Sequence, residues 1–403
     1  MYLRFHLFII VALFSLFSLA CKNEVSGPQP EVSIEGLSFE EGNTARIVNL
    51  SLTLSASAEE TISIYVSSTD GSAEKGRDYI EFSRKLIEIA PGQTSAEVGI
   101  TILGDESFEE DENFRVEIVE AIGATIKLAS AEVTLQNDDA DALLLLQGPD
   151  SPLSYPGMTL HWQDEFDGNS LDANTWTQEV REEGWFNEEL QYYTDEDRNL
   201  TVRDGFLIIE ARDENHSSQT GRNFNYTSAR ISSEDKFTFQ YGRVDIRAAM
   251  PEGQGIWPAL WTLGNNISSV SWPACGEIDI LEMIGGPEVP GQRGETVVHN
   301  AIHWQNAGSH ASDGGHYDLP SGSLHGEFHV YSLIWTDQSV TFLIDDVERD
   351  VIDITGSEKT EFHDPHFFIM NIAVGGTWPG SPDATTSFPQ HMVVDYVRVF
   401  QEE

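Results

Sequence analysis

The sequence predicts an all-β chain, a smaller β-sandwich followed by a larger domain of two packed sheets. Three observations predict it: apolar and polar residues alternate in short runs, Gly, Asn, Asp and Pro punctuate those runs, and helical periodicity is almost absent. At 403 residues the chain has room for two or three domains with a sizeable core each. Lys and Arg total 22 against 67 Asp and Glu, a formal net charge of -45. Such a surface repels nucleic acid and anionic polysaccharide at long range, so a neutral substrate is the easier fit; solvation in salty surroundings is an equal reading of the charge.

Met1 to Ala20 sets Arg4 ahead of an apolar run from Leu7 to Phe17 and ends in small residues. This is the pattern of a secretory signal peptide, too short and wrongly flanked for a permanent membrane span. Ser18-Leu19-Ala20-Cys21 resembles a bacterial lipobox, with Leu at the second and Ser at the third position before Cys as departures from the usual pattern. The resemblance implies a lipid on Cys21 and an exported, membrane-anchored chain at the outer membrane or surface of a bacterium. The other cysteine, Cys275, then has no intrachain partner, and with no His base nearby it is expected to be a buried small hydrophobe. Residues 21–30, polar with Pro28 and Pro30, read as a tether.

Residues 31–139 carry alternating runs at Ile47–Leu54, Thr61–Val66, Ala96–Leu103, Phe114–Val119 and Ala131–Leu135, the spacing of a β-sandwich. Ser68-Thr-Asp-Gly-Ser-Ala73, Gly76-Arg-Asp-Tyr79, Pro91-Gly92, Ile102-Leu-Gly-Asp105, the acidic run Glu109–Glu112 with Phe114, and Asn137-Asp138-Asp139 together resemble a Calx-beta domain. That resemblance implies calcium held by oxygen ligands at one end of the sandwich, with Glu41, Asp78, Asp105, Asp111 and Asp138 as candidates. Solvated acidic loops are the competing reading. Residues 140–157 form the linker, in which Leu143–Leu146, too short to cross a bilayer, are expected to pack on one domain while the part with Pro149, Pro152 and Pro156 joins the two.

Residues 158–403 resume the strand pattern from His161–Phe166 through Met392–Phe400. Within them Glu277-Ile-Asp-Ile-Leu-Glu282 reads as a buried strand carrying three acids. Strict alternation would put Glu282 on the face opposite Glu277 and Asp279; one inserted residue near Ile280-Leu281, a β-bulge, returns it to theirs. The two glutamates are then about four strand intervals apart, roughly 13 Å, and side chains leaning together leave a carboxyl gap of about 5 Å. That is the separation of a retaining glycosidase: Glu277 the nucleophile, Glu282 the acid and then base, Asp279 the partner that orients and tunes Glu277.

The run resembles the bulged signature of glycoside hydrolase family 16, laminarinase type. Gly255-Ile-Trp-Pro-Ala-Leu-Trp261, Asn187-Glu-Glu-Leu-Gln-Tyr-Tyr-Thr194 and Asn371-Ile-Ala-Val-Gly-Gly-Thr-Trp-Pro-Gly380 match the same family in the right order, and the likeness runs from about Leu160 to the C-terminus. It implies a concanavalin A-like β-jelly roll with a groove across one sheet. It also implies sugar stacking on Trp257, Trp261, Trp272 and Trp378, hydroxyl contacts from Asn187 and Arg230, and His303 beside the nucleophile. No cofactor serves the chemistry, but the family's structural calcium would fall on the carbonyls of Glu165 and Gly205 and the side chain of Asp395. The expectation is a monomeric endo-β-1,3-glucanase. Mixed-linkage glucan, agarose or porphyran as substrate, transglycosylation, and a non-catalytic β-glucan-binding protein are the alternatives.

Overall fold

The computed structural model describes residues 29–105, 111–139, 142–182, 187–286 and 294–402. The leader, Cys21 and residues 21–28 of the tether lie outside the described residues, as do Glu109 and Glu110 of the acidic run. The chain divides into two compact units, Met1–Asp141 and Ala142–Glu403.

The first unit is a sandwich of a four-stranded and a five-stranded sheet. Its strands show the alternation that the sequence carries: in Ile62–Asp70, Ile62, Ile64 and Val66 are buried while Ser63 and Tyr65 are not. Tyr79 and Phe114 stack in the core with ring centroids 3.9 Å apart. The expected calcium ligands gather toward one end. Asp138 accepts from the Gly42 amide at 2.8 Å, Asp111 from the Asn137 amide at 3.0 Å, and the Asp78 carbonyl from the Leu103 amide at 2.9 Å. Gly104 is pressed so close to this turn that a Cβ would lie 1.6 Å from the Gly42 carbonyl oxygen, which is why glycine precedes Asp105. Among the described residues, no three of these carboxylates bring their oxygens to metal-ligand spacing; those of Asp78, Asp111 and Asp138 accept from backbone amides.

The second unit packs a ten-stranded against a seven-stranded sheet. Side chains of both, among them Leu207, Ile246, Leu260, Ile278, Leu333, Phe368 and Val397, fill one core. The seven-stranded sheet positions the site, and its strands are β1 (Thr177–Gln178), β2 (Arg230–Ser232), β3 (Ile256–Gly264), β4 (Glu277–Glu282), β5 (Val297–Asn306), β6 (Ser309–Asp318) and β7 (His366–Val374). Their order across the sheet is β1-β2-β7-β3-β4-β5-β6. The inward faces of β3, β4 and β7 are apolar, so the polar residues of these strands crowd the outward face.

Within the second unit, Leu143 and Leu146 pack with Phe206 and Phe328, the Gln147 carbonyl accepts from the Phe328 amide, and the Tyr396 hydroxyl and Arg398 hold Asp150 and Ser151. Strand β6, Ser-His-Ala-Ser-Asp-Gly-Gly-His-Tyr-Asp, carries no apolar alternation of its own. It becomes a strand because Ala307 and Gly308, both with positive φ, form a two-residue hairpin that feeds it back along all of β5.

Candidate active site

Strand β4 is anchored by Ile278, Ile280 and Leu281, each 3 % exposed or less. At about 1.5–3 kcal/mol per buried aliphatic side chain, these offset much of the cost of the acids between them. Against β3, Leu281 faces Leu260 but Asp279 faces Trp261; against β5, Asp279 faces Ala301 and Glu282 faces His299. Ile280 is therefore the extra residue of a bulge, and Glu277, Asp279 and Glu282 emerge on the same face.

Each glutamate is held by an indole. Trp272 donates its Nε1–H to Glu277 Oε2 at 3.0 Å, and Trp257 donates its own to Glu282 Oε1 at 3.0 Å. Trp378 meets Trp257 edge-on at 5.4 Å. His303 Nε2 lies 3.0 Å from Asp279 Oδ2 and 3.9 Å from Glu277 Oε1. The donor atoms of Glu277, Asp279 and His303 all fall within 4.8 Å of one another, the one such grouping among the described residues. A histidine nitrogen 3.0 Å and 3.9 Å from two buried carboxylates makes this a proton-sharing cluster.

Burial dominates the electrostatics. It pushes the Glu282 carboxyl up to about 8, with the Asp279 charge adding to the effect and the Trp257 bond opposing it. Glu277 is driven well above the carboxylate range by burial and then by Asp279, with His303 and Trp272 pulling it back. Asp279 is raised to about 8 by burial. Three acids this close and this dry cannot all ionise at neutral pH.

The groove over these acids has a volume of about 590 Å³. Glu277, Glu282, Asn187, Trp257, Trp272, His303 and Trp378 line it, as their sequence pattern implied. Asn187 adopts φ 55 at a turn where its carbonyl accepts from the Thr377 amide. Arg230 and Trp261 are placed differently. Arg230 is 7 % exposed, its Nε donates to Glu179 at 2.7 Å, and its guanidinium lies over Trp261 at 4.8 Å, beside a separate cavity of about 210 Å³. Trp261 donates to Asn371 Oδ1. The pair braces the groove floor from the side.

The sequence reading missed the far wall, built by His299 on β5 and His310, Ser312 and His316 on β6. The signal was present: His299, His303, His310 and His316 are four of the chain's 12 histidines, clustered on two adjoining strands. Cys275 is fully buried behind β4, and burial pushes its thiol up to about 12, so it is inert.

Asp395, the one side-chain ligand implied for the structural calcium, gives Oδ2 to Arg247, so as arranged this side chain does not fit a divalent ion. Arg398 holds the Glu165 carboxylate through Nε and Nη2, whereas the ligand implied at Glu165 is its carbonyl.

Paired carboxylates across an aromatic-lined groove on a two-sheet β-sandwich define a polysaccharide-cleaving enzyme, a glycoside hydrolase. Residues 178–398 match Glycosyl hydrolases family 16, and the chain belongs to that family; residues 29–139 match the Calx-beta domain. The chain is 39% identical over 270 residues to a beta-glucanase of Rhodothermus marinus, spanning 63% of this chain and 89% of that protein. It is 36% identical over 270 residues to glucan endo-1,3-beta-glucosidase A1 of Niallia circulans, spanning 61% of this chain but only 38% of that longer protein. Among solved structures, the laminarinase catalytic domain of Thermotoga maritima matches with a TM-score of 0.55 and 41% identity over 62% of this chain and all (100%) of that one.

Proposed function

We propose that the second unit is a retaining endo-glycosidase that hydrolyses β-1,3-linked glucan of the laminarin type. The observation that carries this is the register shift at Ile280, which sets Glu277 and Glu282 on one face, each oriented by an indole at the wall of the same groove. Glu282, kept protonated by burial, donates its proton to the glycosidic oxygen while Glu277 attacks the anomeric carbon. Water, deprotonated by Glu282, then releases the sugar from Glu277 with its configuration retained. Asp279 shares the pair's proton and His303 stabilises the negative charge that remains. The choice of β-1,3-glucan rests on similarity to proteins whose names specify that linkage, and on a net charge of -45 that disfavours anionic polymers.

The test is to incubate the full chain with laminarin, lichenan, agarose and porphyran and to follow the products by proton NMR. Early accumulation of the β-anomer from laminarin is expected. An α-anomer would overturn the retaining mechanism, and no new reducing ends from any of the four would leave a glucan-binding protein. For the rest of the chain we propose export and anchoring through lipid on Cys21, supported by the leader pattern of Met1–Ala20. Among the described residues no helix is long and apolar enough to cross a membrane. For the Calx-beta unit we propose a spacer or carbohydrate-contacting role, with calcium at its acidic end as the ligand to test.

A further inference from the structure

His310 lies on β6, the edge strand of the sheet, and neither the acidic motif nor the reading above gives it a task. Its Nε2 is 2.8 Å from Nδ1 of His303, whose Nε2 is 3.0 Å from Asp279 Oδ2. The two imidazoles stack at 5.1 Å with 23° between planes, and the His310 ring packs on Trp272, the indole that holds Glu277, at 4.8 Å. Resting on the hydrolase reading, we infer that His310 is a positioning residue that fixes the tautomer of His303 and through it tunes the Glu277–Asp279 pair.

Two contacts in series, His310 to His303 and His303 to Asp279, limit where the protons can sit. Whenever the Glu277–Asp279 pair places its negative charge on Asp279, the facing His303 Nε2 must carry a proton. A neutral His303 then has a bare Nδ1, which can only accept, so His310 must carry its proton on Nε2 and donate it. The alternative arrangement, a His303 imidazolium donating at both nitrogens, requires His310 to be neutral with an unprotonated Nε2. Burial and the nearby His303 both pull His310 below the usual histidine range, so His310 is the neutral member in either case. In both states His303 presents N–H to Asp279, and the ring cannot flip without breaking its contact with His310. The titratable groups facing this pair are Glu277, Asp279 and Glu282 from β4, His299 from β5, Asp313 and His316 from β6, and Glu361, which accepts from the Gln305 amide at 3.3 Å. Of these, the groups in direct contact with His303 are the two acids that must hold a negative charge during attack.

The sign of the effect follows. A His303 held as donor stabilises the anionic form of the Glu277–Asp279 pair; without His310 that donor is less often in place, the pair keeps its proton to higher pH, and the acid limb of kcat/KM moves upward. Two measurements test this on the full chain: ring-nitrogen NMR of 15N-histidine-labelled protein, and pH profiles on laminarin for wild type, His310→Ala and His310→Gln. Wild type is expected to show His303 protonated at Nε2 at neutral pH. His310→Ala is expected to lower kcat about fivefold, the scale of one lost hydrogen bond, with KM little changed and the acid limb displaced upward. His310→Gln, whose amide can donate to Nδ1, should restore both. His310 is exposed, and equal thermal midpoints check that either variant folds as wild type does. A His303 protonated only at Nδ1 in wild type, an acid limb in His310→Ala that superimposes on wild type, or a change confined to KM would each overturn the proposal, the last making His310 a sugar contact instead. If wild type releases no sugar at all, the hydrolase reading fails by itself, and the ring-nitrogen spectra still decide whether His310 sets the His303 tautomer.

Discussion

Replacing Glu282 with Gln should stabilise the second unit while abolishing turnover. Burial raises the Glu282 carboxyl from its ordinary 4.5 to about 8. The folded state therefore keeps a proton that the unfolded chain releases above pH 4.5, and stability falls as pH rises from 4.5 toward 8. At about 1.36 kcal/mol per unit, the ceiling on this cost is about 3 kcal/mol at pH 7 and about 5 kcal/mol above pH 8. Structural relaxation and water entry reduce it, so about 2 kcal/mol at pH 7 is the working figure. Glutamine does not titrate, fills the same space and can still accept from the Trp257 indole, so the variant escapes the cost. For a unit of this size about 2 kcal/mol corresponds to a rise of roughly 4–8 °C in Tm. All nine tryptophans of the chain lie at or beyond residue 162, so tryptophan fluorescence follows the second unit alone in thermal scans of the full protein at pH 4.5, 7 and 8.5. The gain should be near zero at pH 4.5 and grow with pH. A Gln variant no more stable than wild type at pH 8.5, or a gain independent of pH, would refute the claim that this carboxyl is held protonated by burial.

The pH profile of activity should mirror that picture: kcat/KM falls as pH rises through about 8, where Glu282 loses the proton it must donate, and a wild-type profile with no basic limb near pH 8 would assign the proton elsewhere. Glu277→Gln should abolish turnover on laminarin with circular dichroism unchanged; retained reducing-end release would remove Glu277 from the chemistry. Trp272→Phe takes the N–H from Glu277 Oε2 and should cost about tenfold in kcat, the equivalent of about 1.4 kcal/mol, while moving the acid limb upward, as pH-dependent kinetics would read. Gly314→Ala would place a Cβ 2.3 Å from the Asn300 carbonyl oxygen, so β6 must separate from β5; a loss of at least about 1–3 kcal/mol in urea unfolding is expected, with weaker laminarin binding.

Much of the centre of this site was legible because strand alternation is a strict rule that Glu277, Asp279 and Glu282 break. Only an added residue reconciles three acids with one face, and the pairing of β4 with both neighbours puts that residue at Ile280. The tryptophans were legible as groove residues but not as hydrogen-bond donors, since nothing in Trp257 or Trp272 announces which atom an indole N–H will reach. The bond from Arg230 to Glu179 was not legible, because a basic residue in a groove motif gives no sign of the acid that holds it from beside β1. Strand β6 was invisible because Ser, Asp and Gly carry little strand propensity; its structure is imposed by the hairpin and by ten residues of β5. The hydrogen bonds that tie Asp150 and Ser151 to Tyr396 and Arg398 were not legible, because the partners lie far away in sequence.

The two indoles that grip the glutamates are also walls of the groove. Trp257 and Trp272 cannot be reshaped to suit a different sugar without disturbing the acids they hold, so this half of the cleft is closed to gradual change. Apart from His310, the opposite rim, made of short side chains and imidazoles on the edge strand of the sheet, carries no such double duty. Divergence in what this scaffold accepts would therefore be channelled into β6, and the polymer's outer contacts could be exchanged while the bond-breaking apparatus stays as it is.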